Sequence, residues 1–174
     1  MPIAIRRGVN ADATALAALA ERTFRDTYAS FNTPENLAGH VTVSFGAEIQ
    51  GRELADPDLS TLLVEVDGAL SAYAMLRSGH APRCVTAASP LELWRFYVGK
   101  DWHGQGIAQQ LMEAVFQEAA LRGADAVWLG VWEENPRARA FYAKCGFADV
   151  GAHTFTLGTD HQTDRVLVRP VASR

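Results

Sequence analysis

The sequence predicts an α/β domain with a mixed sheet and helices on both of its faces. Three observations lead there. Short apolar or alternating runs of strand length recur through all 174 residues. Two of these runs pass almost directly into segments whose apolar residues are spaced at three and four, as in a helix. Apolar residues make up 48% of the chain, and the length suits one domain, residues 1–174, with a sizeable core.

Taken in order, Ile3 and Ile5 alternate with other residues as in a short first strand. Asn10 or Asp12 caps a helix that runs to about Tyr28 with Leu16, Leu19, Ala20 and Phe24 on one side. Thr33-Pro34 opens a second helix, Pro34 to Phe45, and a third covers Ala47 to Leu54 until Asp56-Pro57-Asp58 breaks it. Thr61–Val66 and Ala69–Leu76, joined by Asp67-Gly68, form a hairpin. Ser78 to Pro90 is a loop, of a length that more often forms a functional lip than scaffold.

A strand at 91–98 precedes a helix of roughly 104–121 that ends at Arg122-Gly123. Ala126–Val131 is an apolar strand, and Asn135-Pro136 opens a helix that ends at Cys145-Gly146. Phe147–Leu157 and Thr163–Val168 are two further strands, joined by the loop 158–162. The order is β, helices, ββ, β, α, β, α, ββ, with Ile107, Leu111, Met112 and Val115 as helix core.

Composition narrows the function. A formal net charge of -4 argues against a nucleic-acid or anionic-membrane partner and permits a cationic substrate. The two cysteines, Cys84 and Cys145, have no ligand spacing, so no metal site is expected. The first residues carry no apolar leader and no stretch is long enough to span a membrane, so the expected location is cytoplasmic.

The chemistry concentrates at the strand 91–98 and the turn His103-Gly104-Gln105-Gly106-Ile107-Ala108. A strand, a glycine turn and a helix start aim backbone N–H groups and a positive helix end at one point, which suits a phosphate. A dinucleotide fingerprint needs a third glycine where Gln109 stands, and no Gly-Lys-Ser/Thr follows for a Walker turn.

His103-x-x-Gly106-x-Ala108 after Phe96-Tyr97-Val98 resembles the Gln/Arg-x-x-Gly-x-Gly/Ala motif of the GNAT N-acetyltransferase superfamily. Asn135-x-x-Ala138-x-x-Phe141-Tyr142-x-x-x-Gly146-Phe147 resembles its second signature, in the right order and with a strand between. A narrower similarity, through Asn32 to Asn36, Trp128 to Glu133, Gly151 to Gly158 and Gln162 to Asp164, is to the PaiA-type branch. That branch is associated with acetylation of spermidine and spermine and was named for a regulatory phenotype.

The resemblance implies a GNAT-like single domain with a mostly antiparallel sheet of about seven strands. It implies acetyl-CoA as cosubstrate, held by the backbone of Phe96, Tyr97 and Val98, by His103, Gly104, Gln105, Gly106, Ile107 and Ala108, and by Asn135. His103 departs from the motif and carries charge only part of the time near neutral pH.

An alkylamine of pKa ~10 needs a base before it attacks a thioester. Glu92, near the start of the strand, is the first candidate base; the alternatives are an exposed strand-end carboxylate and an attractor of the cationic acceptor. Tyr142 is the candidate acid, since a phenol of pKa ~10 can protonate a thiolate of ~8.5. Tyr28, His153 and Asp160 are acceptor-side candidates bracketed by the narrower resemblance. Three functions follow: acetylation of a small cationic amine; CoA sensing without turnover; or acetylation of protein N-termini or antibiotic amines. A homodimer through the C-terminal sheet edge is a further expectation.

Overall fold

The computed structural model describes residues 1–172. Its strands are β1 (Ile3–Arg7), β2 (Leu59–Val66), β3 (Ala69–Arg77), β4 (Pro90–Val98), β5 (Ala126–Trp132), β6 (Ala148–Leu157) and β7 (Asp160–Pro170). They form one seven-stranded sheet in the order β1-β2-β3-β4-β5-β7-β6. Every pairing is antiparallel except β4 with β5. The helices are α1 (Ala13–Tyr28), α2 (Pro34–Ser44), α3 (Ala47–Ala55), α4 (Ile107–Leu121) and α5 (Pro136–Lys144).

Alternation along the strands divides the core. Ala72, Ala74 and Leu76 of β3 face α4 and α5, where Ile107, Leu111, Val115 and Tyr142 close one layer. Tyr73 and Met75, between them in sequence, face α1 and α2, against Leu16, Phe24, Leu37 and Phe45. Each fully buried leucine in these layers contributes about 1.5–3 kcal/mol. No helix among the described residues is long and apolar enough to cross a membrane.

The local signals act largely as expected. Thr33 Oγ1 accepts from the Asn36 N–H at 3.2 Å and starts α2. Asp67 and Gly68 adopt φ of 51° and 81°, the left-handed pair of a tight hairpin turn. Two readings change. Asp12 does not cap α1 with its side chain: the carboxylate accepts from the Val9 N–H at 2.8 Å and pairs with Arg6. The expected loop 158–162 shrinks to a two-residue turn, because Asp160 pairs with Leu157 and Gln162 with Phe155 in the β6–β7 ladder. Gln162 is buried there, donating to Asn32 and Asp160, so polar residues that resembled loop extend a hairpin instead.

Candidate active site

β4 and β5 stay paired only from Pro90–Glu92 and Ala126–Trp128. Beyond that the strands diverge, and the β5-facing backbone groups of β4 lose their ladder. A bulge helps to open the wedge: Met75 opposes Arg95 and Leu76 opposes Leu93, leaving Trp94 as the extra residue. Trp94 and Arg95 consequently share the α1–α3 side. There Arg95 lies 3.8 Å over the Trp94 ring and bonds Glu53 at 2.7 Å.

The wedge is a cleft of about 790 Å³ between the two strands, roofed by α1 on one side and by α4 and α5 on the other. Its lining includes Phe96, Tyr97, Val98, His103, Gly104, Gly106, Ile107, Ala108, Asn135 and Tyr142. Ten predicted residues from three separate stretches of sequence therefore meet in one opening.

The phosphate turn takes its shape from two glycines. Gly104 and Gly106 sit at φ of 78° and 79°, and a Cβ on either would meet nothing within 4 Å. The constraint is the left-handed backbone rather than crowding. α4 begins only after the second glycine, at Ile107, three residues later than the sequence suggested. Its first backbone bond is Gln110 N–H to the Gly106 carbonyl at 3.2 Å. The amides of Ile107, Ala108 and Gln109 consequently have no carbonyl of the helix to bond. Gln105 turns away, its side-chain amide donating to the Asp101 carbonyl at 2.8 Å.

His103 is placed differently from its expected role. Its ring Nε2 lies 2.9 Å from the Val98 carbonyl, and its own N–H donates to Lys100. The ring fastens the turn to the end of β4, so the anion-facing groups are backbone amides beyond it. Asn135 keeps both of its roles open: Oδ1 accepts from the Ala138 N–H at 3.1 Å to cap α5, and Nδ2 remains for a ligand in the cleft.

Tyr142 is buried against Phe96, Phe141 and Phe147, with its ring edge-on to each. Burial pushes its phenol well above the ordinary tyrosine range, so the hydroxyl stays protonated at neutral pH. Tyr28 lines the opposite wall, packed at 5.9 Å against Trp132, with Phe31 on the other side of that indole. Burial also raises the phenols of Tyr28 and Tyr97.

Three expected features lie outside the cleft lining. Glu92 is absent from the cleft lining: it sits at the closed end of the wedge opposite Trp128, with its carboxylate accepting from Arg77. Asp160 is exposed at the β6–β7 turn, outside the lining, and accepts from Gln162 at 2.7 Å. The 78–89 loop is no lip. Asp125 accepts from the N–H groups of Ala88 and Ser89, and Val85 packs on Trp128.

His153, also outside the lining, is half-buried beside Trp128, with Nε2 3.7 Å from the Asp164 carboxylate. Sequence reasoning missed Asp164, and it missed Lys100, Trp94 and Arg137 in the cleft wall. Lys100 and Arg137 carry no pattern beyond being near the two motifs. Asp164 closed the Gln162–Asp164 segment of the narrower resemblance, in a polar run that marked no site.

Comparison with known proteins agrees with this geometry. An N-acetyltransferase of Mycobacterium tuberculosis, itself uncharacterised, is 39% identical over 158 residues, covering 91% of this chain and 97% of the relative. One from Lactobacillus delbrueckii subsp. lactis is 33% identical over 150 residues, covering 86% of this chain and 87% of its own length. The PaiA N-acetyltransferase of Thermoplasma acidophilum, solved with coenzyme A, shares the fold at a TM-score of 0.80 and 21% identity, covering 98% of this chain and 99% of that one. The acetyltransferase (GNAT) family model matches residues 14–147, most of the wedge and both motifs included, and the chain belongs to that family.

Proposed function

We propose that this N-acetyltransferase moves the acetyl group of acetyl-CoA to the amine of a small cationic acceptor, with polyamines the leading class. The observation that carries the reading is the wedge between β4 and β5, with a glycine-shaped helix start at one end and a protonated tyrosine in its wall.

The fit to acetyl-CoA rests on unsatisfied backbone. The amides from Gly104 to Ala108 suit a diphosphate, with the α4 dipole behind them. The unpaired edge of β4 from Phe96 to Val98 and the Asn135 side-chain amide suit an amide-rich pantetheine arm. Acetyl-CoA supplies the acetyl group as an activated thioester. Tyr142 holds a proton beside the cleft and donates it to the departing sulfur. Tyr28, Phe31 and Trp132 exclude water from the acceptor side. In the lining Asp26 and Glu134 are balanced by Lys100, 3.6 Å from Asp26, and by Arg137, so the support for a cationic acceptor is the formal net charge of -4.

The test is thiol release from acetyl-CoA with a panel of polyamines, monoamines, aminoglycosides and peptides with free N-termini. Release above blank with polyamines supports the reading. Release with peptides alone moves the acceptor class, and none with any amine removes the enzymatic reading. Tyr142→Phe should lower kcat by about 10²-fold while leaving acetyl-CoA affinity unchanged by calorimetry. An unchanged kcat would take the acid role away from Tyr142.

A further inference from the structure

An amine that arrives as an ammonium must lose a proton, and with Glu92 held by Arg77 the cleft needs another acceptor for it. Three residues of β5 alternate onto the α1 side of the sheet: Trp128, Gly130 and Trp132. The two indoles are buried and Gly130 between them is exposed, with its bare backbone in the cleft wall. A Cβ built there would come within 2.8 Å of His153 Nε2 and 3.1 Å of Asp164 Oδ2. Neither group lines the cleft itself: both stand behind Gly130, where the missing side chain leaves only main chain between them and the cleft wall, and that gap is a window.

Asp164 sits opposite Trp132 in the β5–β7 ladder and opposite His153 in the β6–β7 ladder. Its side chain is only 13% exposed, and its one ionisable neighbour within 4 Å, among the described residues, is His153 at 3.7 Å, longer than a hydrogen bond. Such a site favours a cation that brings hydrogen-bond donors with it. Burial holds the Asp164 carboxyl above the usual carboxylate range, with His153 working against that rise.

We propose that Asp164 is the catalytic base of the acceptor side, taking the proton of the acceptor ammonium through the window at Gly130, with His153 passing it to solvent. The inference rests on the acetyl-transfer reading above. The ammonium N–H bond breaks and its proton goes to Asp164. The freed nitrogen pair forms the C–N bond to the acetyl carbon, and the C–S bond breaks with its pair left on sulfur, which takes a proton from Tyr142. The second proton leaves the new amide nitrogen and restores the phenol, so one proton is released per turnover. The other titratable groups facing Asp164 are His153 of β6, Tyr28 of α1 and Tyr97 of β4.

The experiment compares the wild type with Asp164→Asn, His153→Gln and Gly130→Ala, reading kcat/KM against pH with spermidine and with an arylamine that is already neutral at pH ~7. Asp164→Asn should lose about 10²-fold or more with spermidine near pH 7 and recover most of it near pH 10, where the free amine no longer needs a base. The arylamine should be acetylated by wild type and variant within about threefold of each other, and acetyl-CoA affinity should not move. His153→Gln, at a half-buried surface ring, should show a smaller loss with the same recovery. Gly130→Ala should raise the KM for spermidine by closing the window.

A loss equal at every pH and for both amines, or no loss, overturns the proposal. If Asp164→Asn does not fold, unchanged amine kinetics in both other variants overturn it equally. A wild type that binds acetyl-CoA but acetylates neither amine, nor any on the panel, brings down the acetyl-transfer reading and this one with it. An active wild type with an indifferent Asp164→Asn brings down only this one.

Discussion

The two sides of the cleft are built from different materials. The side that faces the turn is mostly main chain: amides freed by Gly104 and Gly106, the start of α4, and the unpaired edge of β4. The side toward α1 is side chain: Tyr28, Phe31 and Trp132 in the lining, with His153 and Asp164 behind Gly130. A backbone site can bind the same group while its side chains vary, since every residue but proline offers the same N–H. A side-chain site changes its ligand with each substitution. One half therefore suits an invariant donor and the other an acceptor that differs from enzyme to enzyme.

The sharpest way to break that contrast is to strain the main chain without removing a polar group. Gly106→Val puts a β-branched residue at φ 79° in open space. The expected result is a loss of about tenfold or more in acetyl-CoA affinity by calorimetry, with the acceptor KM little changed. His103→Ala is the contrasting substitution. Its exposed ring only ties the turn to Val98, so the same measurement should shift by less than about threefold. If His103→Ala proves the worse of the two, the donor side depends on a side chain after all.

The same contrast explains what could be read from the sequence. Gly104, Gly106 and the Asn135-Pro136 pair act on their own neighbours in the chain, so their spacing alone announces a turn and a helix start. The strands and most helix boundaries were legible for the same reason. Asp164 has no such local meaning. It becomes a site residue only because β5 carries a glycine at the register position beside it, and register between β5 and β7 is not written in either strand. The run around Asp160 acts in the opposite way: polar residues suggested a loop, while Gln162 donates to Asn32 across the fold and the hairpin continues. The partner of Glu92, Arg77, lies on another strand and so was not legible from its own stretch of sequence.

A charged group held without full compensation should also cost stability, which gives a second, smaller test of the acceptor side. The carboxyl of Asp164 is raised by burial, so its contribution to stability is fully present below the ordinary Asp value of ~3.9 and is lost as pH rises through its value in the folded protein. Above that value the ionised group therefore opposes folding, and Asp164→Asn should raise Tm there. The gain should vanish in acid, where the wild-type carboxyl is protonated in both states. A variant less stable than wild type at pH 7 would mean that His153 compensates the carboxylate fully.

The smallest effect is expected at Glu92. Its side chain is 16% exposed and its two oxygens take the Arg77 guanidinium, which in turn lies 4.2 Å over the Trp94 ring. Glu92→Gln keeps the shape and one acceptor, so Arg77 retains its place on the indole. Arg77 is itself 38% exposed and water screens the pair, so the loss of stability should be no more than about 1 kcal/mol. Turnover should stay within about threefold, because Arg77 holds both carboxylate oxygens at the closed end of the wedge. The pH profile separates this outcome from its rival. If Glu92→Gln loses activity near neutral pH and regains it at high pH, while Asp164→Asn does not, the proton leaves through water toward β4. The side-chain half of the site would then begin on the same strand that carries the main-chain half.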